Sequence, residues 1–351
     1  MLLWLFNIYV LIASKDAFAI LLCAQTPALN LLGISTVYGN APLTNTTYNT
    51  LAILKAINRE DIPVYPGASK PFCRNATHAD DIHGVTGLDG TTCLPEPEKT
   101  AQTLHAVEAM YSALIATSPR TAFLVAVGTT TNIALLFALH PHLASHIRGL
   151  SIMGGAIGGG FTNAPMGTVK GEGERFGNWS PWAEFNIYCD PESAQAVFSN
   201  PILAGKTTLV PLDLTHQMLA TKSVLKTLLK EEQGQVSLQR KLFHEIVTFF
   251  AKTYSDVFGL VEGPPLHDPL AVAACLAPEL FDDQGGERYA VSVVIDGEHG
   301  VDGISREQSQ CGRTIATKLD PGKAGIRIPR SLDSDTIWQI LDLCLVKSER
   351  K

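Results

Sequence analysis

The sequence has no C-x-x-C pair, no block of lysines and arginines, and no apolar run of the roughly 20 residues that a membrane-spanning helix needs. Charged residues make up only 17% of the chain against 46% hydrophobic, a balance that excludes a disordered chain and supports a large buried core. The net charge of -7 leaves no electrostatic footprint for nucleic acid. The seven cysteines (Cys23, Cys73, Cys93, Cys189, Cys275, Cys311 and Cys344) fit neither a zinc pattern nor a small disulfide scaffold. Reduced, mostly buried thiols are expected, which favours an intracellular protein. Cys73 and Cys93 flank a polar loop and form the one pair to consider in an oxidising compartment. No G-x-x-x-x-G-K-[ST] or helix-opening G-x-G-x-x-G cradle is present, and no G-x-S-x-G elbow. Nucleotide-phosphate binding by those routes and serine-hydrolase chemistry of the elbow type are thereby excluded.

What is present is an alternation of strand and helix. "IYVLI" inside the apolar start "MLLWLFNIYVLIAS" reads as a buried parallel strand. A signal-peptide core is the alternative, without the usual basic residues before it. Residues 16–25 read as a helix, 29–40 as a strand, 44–60 as an amphipathic helix, and "DIPVYPG" as a short strand and turn. Residues 68–98 read as loop. A helix over 98–118, a strand over 120–128, a helix over 131–147 and a strand over 148–157 follow. Residues 158–183 form a long Gly-rich insertion. Then come a helix "DPESAQAVFS", a strand "KTTLVPLDLT", helices through 217–257, a helix over 267–281, a strand "ERYAVSVVID" and a closing hairpin. Such alternation predicts an α/β fold, a mostly parallel sheet with helices on both faces.

Parallel sheets bind ligands at the carboxyl ends of their strands. The polar residues there are Asp16, Asn40, those of "VAVGTTTN" and "IMGGAIGGG", then Asn178, Glu184 and Asn186 in "NWSPWAEFNIYCDPE", "PLDLTHQ", and His267 with Asp268 in "HDP". Asparagine and glutamate side chains fork onto vicinal hydroxyls. Hard cations such as Ca²⁺ take several carboxylate and carbonyl oxygens, and Asp16, Asp268 and the backbone carbonyl of Val127 are natural donors.

"LLGISTVYGN", "HGVTGLDG", "VAVGTTTNIALL", "IMGGA", "AEFNIYCDPESA", "LDLTHQ" and "HDPLAVA" occur in this order. Together they resemble the inosine/uridine-preferring nucleoside hydrolase family, from about residue 16 to 345. The insertion resembles the expanded loop of fungal-type members. The resemblance implies one doubly wound, Rossmann-like domain over 1–351. It implies Ca²⁺-assisted hydrolysis of ribonucleosides to ribose and free base, in nucleoside salvage. Asp16, Val127 (through its carbonyl) and Asp268 match metal ligands. Asn40, Met153, Asn178, Glu184 and Asn186 match ribose contacts, and His83 lies in a loop over the site. His267 matches the residue that protonates the leaving base in some members. The implied partner is a small ribonucleoside, with neither nucleic acid nor membrane. A homo-oligomer, dimer or tetramer, and a cytoplasmic location are expected; secretion through residues 1–13 is the alternative.

One part departs from the family. Its D-x-D-P-G-x-D-D signature aligns onto residues 9–16, and only Asp16 survives. Leu11 stands at the position of the water-activating base, and Lys15 stands where a metal and ribose ligand belongs. An ammonium a few Å from Ca²⁺ is repulsive by roughly several kcal/mol at an effective dielectric near 20. Weakened calcium binding and slow turnover are therefore expected. A true pseudoenzyme that binds nucleoside or ribose is one account of the loss. Upstream sequence translated in place of the family's own start is the other.

Taken singly, these residues have plainer readings. Asp16 alone is a helix cap, "HDP" an ordinary helix opening, and Met153 core filler. His216 reads as structural, satisfied by backbone. His140, His142 and His146 read as a solvated face. Asn45, Asn75 and Asn178 form N-x-[ST] sequons, which matter only for a secreted chain.

Overall fold

The computed structural model describes residues 6–12, 16–79, 86–166, 168–169, 173–174, 176–231, 234–249, 251–297 and 309–350. Six parallel strands form the central sheet: β1 Phe6–Ile12, β2 Leu29–Thr36, β3 Val64–Pro66, β4 Ala122–Ala126, β5 Gly149–Met153 and β6 Thr207–Val210. Their order is β3-β2-β1-β4-β5-β6. The apolar start is thus a central strand, paired with β2 on one side and β4 on the other. Sequence order reverses between β1 and β4, and the crevice beyond that point is where open α/β sheets take ligands.

Alternation along the strands sends side chains into two apolar layers. Ile8, Val10 and Val125 join one core with helix α1, Ala17–Gln25, and the helices Pro269–Leu276 and Ser334–Ser348. Tyr9, Leu124 and Ala126 join the other, under the helices Ala106–Ile115, Thr131–Leu139 and Pro191–Phe198. Helix α1 is buried from Ala17 through Ala24, as an apolar-all-round helix must be. Its Phe18 ring meets the edges of Phe243 and Trp338, with centroids 4.8 and 6.1 Å away.

Several sequence expectations are corrected. The helix expected over 98–118 spans only Ala106–Ile115, because Gln102 N–H donates to the Val64 carbonyl at 2.8 Å and His105 Nδ1 caps Val107 N–H. The helix expected over 131–147 is two, Thr131–Leu139 and Leu143–His146, broken at Pro141, which has no N–H and crowds the turn before it. His140 is not solvated there: it stacks on Tyr111 at 3.9 Å. The strand expected over 206–215 stops at Val210, and Leu212–Thr215 is helical. The closing hairpin is present as Tyr289–Val293 paired antiparallel with Thr314–Lys318. The long helix Ser334–Ser348 beyond it was not anticipated. All seven thiols are free, so Cys73 and Cys93 are not paired. No helix among the described residues is long and apolar enough to cross a membrane.

Candidate active site

A cavity of about 100 Å³ opens at the carboxyl end of the sheet. Asn40, Val127, Met153, Asn178, Glu184, Asn186, His267 and Asp268 all line it. These residues come from eight positions spread over more than 200 residues of sequence; the strand-end rule pointed to the polar ones, and the family resemblance to Met153. Asp16 does not line the cavity; it is buried at the start of α1. His83 and Lys15 lie outside the described residues, and of Leu11 only the strand backbone is described.

Glu184 opens the short helix Phe185–Cys189 and is 2% exposed. Its Oε1 accepts from Asn186 N–H at 2.9 Å, and its Oε2 from Gly155 N–H at 2.9 Å and Ile187 N–H at 3.1 Å. Burial pushes its carboxyl above the usual range, while the backbone N–H groups of Asn186, Gly155 and Ile187 pull it back. Asn186 Nδ2 donates to the Val127 carbonyl at 3.2 Å and the Met153 carbonyl at 3.4 Å, tying the exits of β4 and β5 together. Asn178 Oδ1 accepts from Phe185 N–H at 2.9 Å. The asparagine-glutamate cluster is thus held by main chain, which fixes polar groups before any ligand arrives.

His267 is held on both ring nitrogens: Nδ1 lies 2.7 Å from Thr215 Oγ1 and Nε2 2.8 Å from the Tyr254 hydroxyl. Burial, with His216 adding to it, pushes its pKa down to about 3, so the imidazole is neutral near pH 7. An imidazolium acid at this position is not what the surroundings favour. Tyr254, on the helix Ala251–Phe258, was missed in the sequence. With Tyr254, the ring of Phe185 and the side chains of Ile246, Val247, Pro265 and Leu266 make an apolar wall. His216 behaves as expected, with Nδ1 2.7 Å from the Pro165 carbonyl.

Asp16 and Asp268 each stand at the N-cap of a helix, yet neither side chain caps it. The plain capping reading of Asp16 is therefore set aside. The donors for a Ca²⁺ ion are these two carboxylates and the Val127 carbonyl, which already accepts from Asn186. Calcium takes six to eight oxygens, and no group of three His, Cys, Asp or Glu among the described residues converges as a metal site. The described donors do not complete a calcium site.

Comparison with known proteins agrees with this geometry. The sequence profile described as inosine-uridine preferring nucleoside hydrolase matches residues 12–339. The uridine nucleosidase of Saccharomyces cerevisiae is 41% identical over 265 residues, covering 74% of this chain and 72% of that protein. A pyrimidine-specific ribonucleoside hydrolase, RihA, of Photobacterium profundum is 39% identical over 289 residues, covering 80% of this chain and 84% of that one. Among solved structures, a plant nucleoside hydrolase superposes with a TM-score of 0.78 at 24% identity over 97% of this chain and 98% of that one. A purine-preferring ribonucleoside hydrolase from Gardnerella vaginalis does so with 0.79 at 23% identity over 98% and 100%. With the profile spanning nearly its whole length, the chain belongs to the inosine-uridine preferring nucleoside hydrolase family, a family of N-glycosyl hydrolases.

Proposed function

We propose that this chain takes a ribonucleoside, pyrimidine ribonucleosides first, into the cavity and hydrolyses its N-glycosidic bond slowly. The observation that carries the reading is the convergence of Asn40, Asn178, Glu184 and Asn186 with His267 and Asp268 on one cavity. The asparagines hydrogen-bond the ribose hydroxyls. Cleavage passes through an oxocarbenium-like state, and the buried Glu184 carboxylate is the negative group to stabilise it. The base lies against Phe185, Ile246, Val247 and Leu266. With His267 neutral and burial pushing the Tyr254 hydroxyl well above its ordinary range, neither group is a ready acid for the departing base. The pyrimidine preference is carried over from relatives named uridine nucleosidase and pyrimidine-specific ribonucleoside hydrolase.

Slow turnover follows from Leu11 at the position of the general base, since such a group contributes about 10²- to 10⁴-fold. Weak calcium binding follows from Lys15 beside Asp16. The test is hydrolysis and equilibrium binding of uridine, cytidine and inosine by the purified chain, with and without added calcium, beside an active member of the family. Uridine binding with turnover at least about 100-fold below that member is expected. Full turnover with one tightly held calcium per chain overturns the slow-enzyme reading, and absence of binding overturns the nucleoside reading. The same two residues favour a second reading, a ribonucleoside-binding protein without catalysis; binding with no measurable turnover selects it.

A further inference from the structure

After β5 the backbone takes the left-handed conformation at four glycines, Gly155, Gly158, Gly159 and Gly160. Gly155 and Gly158 have φ of +79° and +65°, and a Cβ on Gly158 would lie 1.6 Å from the Phe176 ring. A segment with no regular secondary structure must have its N–H groups satisfied from outside. Two buried carboxylates do this. Glu184, in the cavity wall, takes Gly155 N–H. Asp213, 1% exposed and outside the cavity wall, takes Ile157 N–H on Oδ2 and Gly158 N–H on Oδ1, both at 2.8 Å. The residues around Asp213 reinforce the hold: Leu212 N–H donates to the Gly155 carbonyl at 2.9 Å, and Thr162 Oγ1 donates to the Asp213 carbonyl at 2.7 Å.

We infer that Asp213 is a positioning residue for the ligand cavity, acting through the Gly-rich segment on Glu184. The bidentate grip on Ile157 and Gly158 sets where Gly155 N–H points. That N–H is one of three fixing the Glu184 carboxylate, and the other two belong to Asn186 and Ile187. Losing the grip therefore loosens Glu184 and the start of the helix carrying Asn186, although Asp213 touches no ligand. Burial pushes the Asp213 carboxyl upward and the two N–H groups oppose this, as for an anion kept for structure.

Asp213→Asn tests the idea, because it keeps the side-chain volume and aims an amide NH₂ at one of the two donors. Amide exchange measured residue by residue reads the clamp whether or not the chain turns over nucleoside. Exchange about 10-fold faster is expected at Ile157 and Gly158 and also at Gly155, Asn186 and Ile187. Acceleration confined to Ile157 and Gly158, or none, overturns the inference. Thr162→Val, which leaves the carboxylate intact, is expected to leave Gly155, Asn186 and Ile187 unchanged. If Asp213→Asn does not fold, Asp213→Glu displaces both acceptors by one methylene and is read the same way.

A second arm rests on the nucleoside reading. A merely structural residue would lower the active fraction, hence kcat, at constant KM; the positioning role raises KM for uridine about 10-fold. An unchanged KM overturns the positioning role. A wild-type chain that neither binds nor cleaves uridine overturns the nucleoside reading alone, and exchange still decides the role of Asp213.

Discussion

A carboxylate at a helix N-terminus is usually spent on that helix. Asp16 and Asp268 are not, whereas Asp190, Asn200 and Asp333 do cap theirs. Capping alone does not separate site from structure, since Glu184, which lines the cavity, also caps its helix through the Asn186 and Ile187 N–H groups. The strand-end rule found Asn40, Glu184, Asn186 and Asp268 because position along the chain decides what lies at that end of a parallel sheet. It missed Tyr254, which with Phe258 four residues on reads as an apolar helical stripe. Only the tertiary fold brings its hydroxyl to His267. The rule took in Asp213 within "PLDLTHQ" without a role, because that role depends on where a distant loop runs. Tyr254→Phe keeps the ring and removes the partner of a buried imidazole nitrogen, so stability should fall by about 1–3 kcal/mol. Thermal unfolding measures that loss, and uridine kcat/KM should fall with it.

His216 supplies a pH prediction at the same scale. Burial holds its pKa near 4 against the ordinary 6.5, with the bond to the Pro165 carbonyl opposing. Below pH 6.5 the unfolded chain binds a proton that the folded chain does not. The stability it confers is therefore complete above 6.5 and is lost as pH falls toward 4, by about 3 kcal/mol from this one group. Denaturant unfolding across pH 4–7 should show this slope reduced in His216→Gln, whose amide can still reach the Pro165 carbonyl. A slope identical to wild type would mean that His216 is not the group responsible.

At the scale of elements, α1 is the keystone of one core. Phe18 sits at the junction of three helices, edge-on to Phe243 and Trp338. Phe18→Ala should cost about 3–5 kcal/mol and lower the denaturation midpoint without changing the slope. Because Phe18 also lines the cavity, the same variant should weaken nucleoside binding. Long elements with strong patterning, such as α1 and the strands 29–36 and 149–153, were legible. Errors fell where a local device overrode the pattern: Pro141 cutting a helix, and a His105 cap delaying one. The C-terminal helix carried its own start signal, Asp333 accepting from Thr336 N–H at 3.0 Å. Its packing on α1, more than 300 residues away, had no local trace.

Across the whole molecule, the strand order places the exit of β1 at the point where the sheet reverses, between the exits of β2 and β4. It is the corner at which the sequence departs from the D-x-D-P-G-x-D-D signature. The cavity and its asparagine-glutamate cluster are built by residues after Asp16, whereas the sheet also needs β1, Phe6–Ile12, before it. The departures from the family signature lie in the few residues before Asp16. Leu11→Asp with Lys15→Asp restores a base and a carboxylate ligand together and removes an ammonium, a change of −3 in formal charge at the site. Calcium titration by calorimetry should then show one site per chain, and uridine turnover should rise by about 10²- to 10⁴-fold. Each single variant should gain less: Lys15→Asp alone should gain calcium without a base, and Leu11→Asp alone a base beside a cation. If the double variant gains calcium but no turnover, the defect extends beyond this corner, and the ribonucleoside-binding reading takes precedence.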